Sequence, residues 1–194
     1  MSSLSDAVAA RRSHPRVTSL APTRDELLPL VAAAATTADH AALRPWRFIE
    51  LRGDARVRLG AALVEASGSA EGIGAEANAA ETSAADEKLA AKPLRASLLI
   101  AVVVCVQPNV KVPQWEQEAA ASGVAHMLSL LLSDAGWGVM WRSGPVTRSI
   151  EVRRMHALAD NERLLGWLYV GGVPADARLA PRAPIDPQQF LQAI

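Results

Sequence analysis

The chain has 194 residues, half of them hydrophobic and about a fifth charged, which fits one folded domain over residues 1–194 and argues against a disordered chain. Twenty basic residues balance twenty acidic ones, so the chain lacks the global field that grips nucleic acid, and DNA or RNA binding is not expected. A lone cysteine, Cys105, excludes an internal disulfide and a cysteine-built zinc site.

The start, Met1-Ser-Ser-Leu-Ser-Asp, carries neither a basic region nor an apolar stretch, so a cytoplasmic location is expected. Leu4 to Arg12 reads as a first helix capped by Ser3 or Ser5, with Pro15 beyond it. Thr23 followed by acids predicts a second helix through about Thr36, burying Leu27, Leu30, Val31 and Ala34. Thr37 to Pro45 reads as a loop and Trp46 to Leu51 as a strand closed by Gly53-Asp54. Arg56 to Ser67 is helical in pattern, and Ser67 to Glu87 reads as a surface excursion, part helix and part loop.

Ser97 to Val106 is continuous and β-branched, the signature of a central strand covered on both faces. It is about half of what spans a bilayer, and no membrane segment is expected. Cys105 within it reads as a buried, inert thiol. Pro113 to Ala135 is the longest helical pattern. Its small residues Ala119 to Gly123 permit close approach of another helix, and its apolar second half predicts burial nearly all round, in the core or against a second subunit. Gly136 and Gly138 are expected to close it. A strand over Val139 to Arg142, a helix over Thr147 to Leu158 and a strand over Leu164 to Val170, ended by Gly171-Gly172, complete the pattern. Four prolines make the tail extended.

The chain lacks a Walker loop, a Gly-x-Gly-x-x-Gly turn and a Gly-x-Ser-x-Gly elbow. The four histidines have no metal-like spacing, so no metal site is expected; His126 reads as a satisfied core residue, and His14 and His156 as surface positions. Arg11, Arg12 and Ser13 suit a phosphate monoester, but spacing alone favours a solvated helix end whose basic side chains meet the negative pole of the helix dipole. His40 and Arg44 fit donors to a planar ring's carbonyl groups, or exposed loop residues. Trp141, Arg142 and Ser143 fit a turn facing an aromatic ligand, or a core tryptophan beside a bend.

In order along the chain, Arg11–Ser13, Asp39–Phe48 (Asp-His-x-x-x-x-Pro-Trp-Arg-Phe), Lys111–Glu118 (Lys-Val-Pro-x-Trp-Glu-Gln-Glu) and Trp141–Gly144 (Trp-Arg-Ser-Gly) resemble the nitroreductase family, in its short bacterial branch. Gly166–Gly171 resembles that branch's late strand, and the match is weakest over Ser67 to Leu89.

The resemblance implies an α+β fold: a central, mainly antiparallel sheet flanked by helices, in an intertwined homodimer built on a long central helix, with FMN held between subunits. By similarity, Arg11, Arg12 and Ser13 bind the phosphate and ribityl end, His40 approaches the ring, and Trp141, Arg142 and Ser143 complete the site. Thr36 stands where the family has an arginine that reaches FMN across the dimer; Arg44 or Arg182 offers compensation. The implied activity takes a hydride from NADH or NADPH and passes electrons to a small acceptor such as a nitroaromatic or quinone, ping-pong through FMN N5, with no catalytic side chain. Two alternatives share the scaffold: a flavin-dependent oxidase or cleavage enzyme, and a non-catalytic flavin-binding dimer.

Overall fold

In a computed structural model of the chain, residues 3–70, 79–178 and 181–193 are described. The centre is a four-stranded sheet made of β1 (Trp46–Leu51), β2 (Leu98–Cys105), β3 (Trp137–Arg142) and β4 (Glu162–Gly172). The strand order is β1-β2-β4-β3, and every pairing is antiparallel. β2 is central because its whole apolar run can be buried. Leu98, Ile100 and Val102 face one core, while Leu99, Ala101 and Val103 face the other.

The first core lies under α2 (Arg24–Ala34) and the long α5 (Gln114–Asp134), which contribute Leu27, Ala34, Val124, Ala125, Leu128 and Leu132. The second lies under α3 (Asp54–Ala70) and α6 (Ile150–Met155), contributing Leu59, Leu63 and Val152. The short α1 (Leu4–Ala10) and α4 (Ala79–Ala90) complete the helices described. Ser3 and Thr23 form reciprocal capping boxes with Asp6 and Glu26, which fixes where α1 and α2 begin. Leu30 and Val31 of the expected α2 stripe are half-buried against the first core.

Several expectations change. Gly136, at φ +87°, closes α5, but Gly138 lies inside β3. The helix expected over Thr147 to Leu158 is a 3₁₀ turn at Pro145–Arg148 and then the shorter α6; Ser149, in extended conformation, caps α6 and separates the two. The excursion Ser67 to Glu87 carries the end of α3 and most of α4, and its residues 71–78 lie outside those described. α5 is not buried all round within one chain: Trp115 is 67% exposed and Met127 36%.

Two histidines exchange their expected places. His126 is exposed, with its ring 4.9 Å from that of Trp141. His156 is buried between α6 and the sheet. It bonds the Val152 carbonyl through Nδ1 (2.8 Å) and accepts from the Trp167 indole N–H through Nε2 (3.0 Å). That pairing fixes a neutral tautomer, and burial pushes the imidazole pKa down. Cys105 is half-buried and donates to Glu162 (3.4 Å). Burial first, and the Glu162 carboxylate second, push its thiol up to about 11, which agrees with an inert thiol.

Candidate active site

The site is built where β3 ends against β4. A register shift opposite Val102/Val103 places an extra residue in β4. Gly166 follows it at φ +147°. A Cβ there would stand 2.5 Å from the Arg142 carbonyl oxygen and 2.6 Å from the Trp141 indole nitrogen. Glycine therefore lets the end of β3 press onto β4, where Trp141, Arg142 and Ser143 line a cleft of about 380 Å³.

The cleft's opposite wall brings Lys92 and Arg95, from the 3₁₀ turn Lys92–Arg95 that follows α4. Its floor carries Trp167 and Tyr169 of β4. The Arg142 guanidinium lies over the Tyr169 ring, 5.2 Å from its centroid. Its Nε is buried and has no hydrogen-bond partner. Among the described residues, no carboxylate lines the cleft and no ion pair uses Lys92, Arg95 or Arg142. Burial raises the Tyr169 phenol pKa, against the opposing pull of Arg142 and Arg95.

The Arg11–Ser13 block lies along the same strand. Ser13 bridges Val139 in parallel, and the His14 N–H donates to the Val139 carbonyl (3.0 Å). The segment then crosses the sheet end, where a Cβ on Gly171 would meet Thr18 and Val17 at 2.8 Å. Ser13 is exposed. Arg12 folds back onto the carbonyls of Ala9 (2.7 Å), Ala10 and Arg11, so in one chain its guanidinium caps α1. Arg182, from the tail, donates to the Arg11 carbonyl. Burial, followed by repulsion from Arg11, lowers the His14 pKa.

The third group stands apart. Thr36 turns its hydroxyl onto the Ala33 carbonyl (2.8 Å) at the end of α2. The loop that follows holds Ala41, Ala42 and Arg44 at φ +62°, +50° and +48°. Such a run of non-glycine residues in the left-handed region is costly and is held by specific contacts. The Asp39 carboxylate accepts from the Arg44 N–H, and the Gln107 amide donates to the Leu43 carbonyl (2.8 Å). His40 bonds Glu116 Oε2 through Nδ1 (2.7 Å), at the start of α5.

Glu116 and His126, the latter against Trp141, are separated by about 15 Å of helix rise. Within one chain, then, Arg11–Ser13 and Trp141–Ser143 share an edge, whereas Thr36, His40 and Arg44 gather at the far end of α5. Gly123, on the face expected to permit close approach of another helix, lies against Thr37 just beyond α2 of its own chain, where a Cβ would meet the threonine methyl at 3.3 Å. Sequence reasoning misses Lys92, Arg95, Tyr169 and Glu116. Glu116 sits inside the Lys111–Glu118 block; Lys92 and Arg95 carry no motif of their own.

Among the described residues, no cluster of acids, histidines and cysteine has the makings of a metal site. None of their helices is long and apolar enough to cross a membrane.

The model of the nitroreductase family matches residues 8–172. The chain is 33% identical over 181 residues, 93% of each chain, to the Escherichia coli (strain K12) protein named "Putative NAD(P)H nitroreductase YdjA". In structure it resembles a nitroreductase-like family protein from Bacillus cereus at TM-score 0.83 and 21% identity, covering 100% of this chain and 97% of that one. It also resembles the FMN and NADPH-dependent nitroreductase NfnB from sphigopyxis sp. strain HMH at TM-score 0.74 and 17% identity, covering 98% of each.

Proposed function

This chain belongs to the nitroreductase family of oxidoreductases, and we propose that it is an FMN-dependent enzyme that oxidises NADH or NADPH and reduces a small acceptor such as a nitroaromatic or quinone. The observation that carries this reading is the cleft at the end of β3, where the buried Arg142 Nε has no partner and, among the described residues, no carboxylate stands beside Arg142 or Arg95. A flavin ring is flat and rimmed with acceptors, and it gains negative charge on reduction. Unpaired cations beside an aromatic floor are what it requires.

FMN supplies the hydride and electron chemistry when bound, in alternating half-reactions. The chain's own work is to bind and to orient. Arg142 and Ser143 would hold the ring's polar rim, Trp141 would stand beside it, and Arg95 would offset charge. Ser13 and Arg11, upstream along β3, take the phosphate. Arg12 joins them only if its guanidinium leaves the carbonyls at the end of α1. No side chain acts as acid, base or nucleophile.

Thr36, His40 and Arg44 reach the flavin only from a second copy of the chain, so the active form is a homodimer. The exposed Trp115 and Met127 of α5, and Ile185, Phe190 and Leu191 of the tail, are the apolar surface that such a partner covers. The domain, residues 1–194, works in the cytoplasm.

The test is the visible spectrum of the purified protein, followed by anaerobic addition of NADH and then NADPH. A flavin spectrum that bleaches, with parallel double-reciprocal plots against acceptor, is the expected result. A flavin that resists both donors favours a flavin-binding dimer, and one reoxidised fastest by oxygen favours the oxidase. A protein that neither carries nor takes up FMN overturns the cofactor assignment. Replacing Ser13 with Ala should lower FMN affinity about fivefold, one hydrogen bond's worth, with the dimer intact by native mass spectrometry.

A further inference from the structure

We propose that a second cavity, opening off the cleft at Lys92, binds the electron acceptor and selects a molecule with an apolar body about one aromatic ring in size and a carboxylate group. The inference rests on the reading that the cleft itself holds the flavin ring. The second cavity measures about 400 Å³ and lies between α3, the end of α4 and the turn Pro145–Arg148. It shares Leu63, Leu89, Lys92 and Val146 with the cleft, so the two adjoin along that wall. Ala66 and Pro145 extend its apolar wall. Its Ser149 hydroxyl already accepts from the Val152 N–H (3.3 Å) as the cap of α6. The cavity therefore offers apolar contact almost throughout, with one cation at its mouth.

The charges decide the class of ligand. A flavin ring carries at most one negative charge. Arg142, stacked on Tyr169 with its Nε buried, and Arg95, close enough to act on the same phenol, both face the cleft floor. Lys92 stands instead in the wall common to both cavities and has no ion-pair partner among the described residues. Among the described residues, no carboxylate lines either cavity. An apolar acid entering the second cavity places its ring against Leu63, Leu89 and Val146 and its carboxylate on the Lys92 ammonium. A lysine is suited to this role because its flexible stem can follow a ligand's charge while packing against it.

Isothermal titration calorimetry of the flavin-loaded dimer with 4-nitrobenzoate and with its neutral isostere 4-nitrobenzamide tests this. The benzoate should bind about fivefold more tightly. Lys92→Gln should erase that preference, Lys92→Arg should keep it, and Ser67→Trp, which fills the second cavity, should weaken both compounds equally. Flavin content should not change in any of the three. Equal affinities in the unmodified protein, a preference that survives Lys92→Gln, or loss of flavin on Lys92→Gln would each overturn the proposal. A protein that holds no flavin yet shows the Lys92-dependent preference supports the cavity and sinks the cofactor reading instead.

Discussion

Strand β4 carries two charged regions, one near each end, that solve opposite problems. At its start Glu162 is 8% exposed and fully engaged. Arg47 grips it through two bonds (2.6 and 2.8 Å), the Ala159 N–H donates to it (3.0 Å), and Cys105 adds its S–H. Those contacts, the Arg47 bonds foremost, hold its carboxyl down at about 2. Farther along, Tyr169 lies under Arg142 and within reach of Arg95, and no acid among the described residues lines the cleft there. A protein that buries charge for architecture supplies the counter-charge itself. The half-buried Arg142 has none among the described residues, which marks the place where an outside molecule is meant to supply it.

The comparison breaks most visibly at Glu162. Glu162→Gln removes the carboxylate from Arg47 and should cost about 3 kcal/mol, the low end for a broken buried pair because Arg47 is half exposed. A shift of the urea midpoint with unchanged flavin content checks it. The sign with pH follows from the lowered carboxyl pKa. The contribution is complete above the unfolded value near 4.5 and is lost as pH falls from there toward 2. Acid titration of the unfolding free energy should show that loss in the unmodified protein and not in the variant.

Arg142→Met sharpens the other side. Folding stability should stay within about 0.5 kcal/mol, because no carboxylate is orphaned by the change. FMN affinity, read by quenching of flavin fluorescence, should fall about thirtyfold, as for one lost charge-assisted hydrogen bond. Equal losses of stability and affinity would mean that Arg142 is structural, like Arg47.

The smallest effect belongs to His156, buried and neutral on the same side of the sheet. Its folded pKa is lowered, so its contribution is complete above about 6.5 and is lost as pH falls below it. Protonation takes the acceptor away from the Trp167 N–H, worth about 1 kcal/mol. Chemical denaturation between pH 7 and 5 should show a slope that His156→Gln removes.

Much of this molecule is legible in its amino-acid order. Periodicity and capping residues locate β1, β2, α2 and α5 to within a few residues, because those signals are local: an N-cap acts over three positions, and a buried strand declares both faces in its own composition. Four short blocks in order are enough to identify the family. Position in space is another matter. His126 and His156 occupy each other's expected surroundings, because a helix pattern shows which residues share a face but not whether that face meets a core. The 3₁₀ turn Pro145–Arg148 merges into a longer helix in the sequence pattern, because its residues read as helical one by one. Arg12, a phosphate ligand by resemblance, caps its own helix within the chain, the other of the two readings its position allows.

The sequence alone determined the elements, the central place of β2, and the order of the Arg11–Ser13, His40 and Trp141–Ser143 blocks. Only the tertiary structure decided that Lys92 and Arg95, on a turn with no motif, face Arg142 across one cleft, and that Glu116 holds His40 about 15 Å of helix away. The physical reason is range. Backbone preference and hydrophobic period are set by neighbours along the chain, whereas a field of unpaired charge exists only where strands and turns distant in sequence are packed side by side.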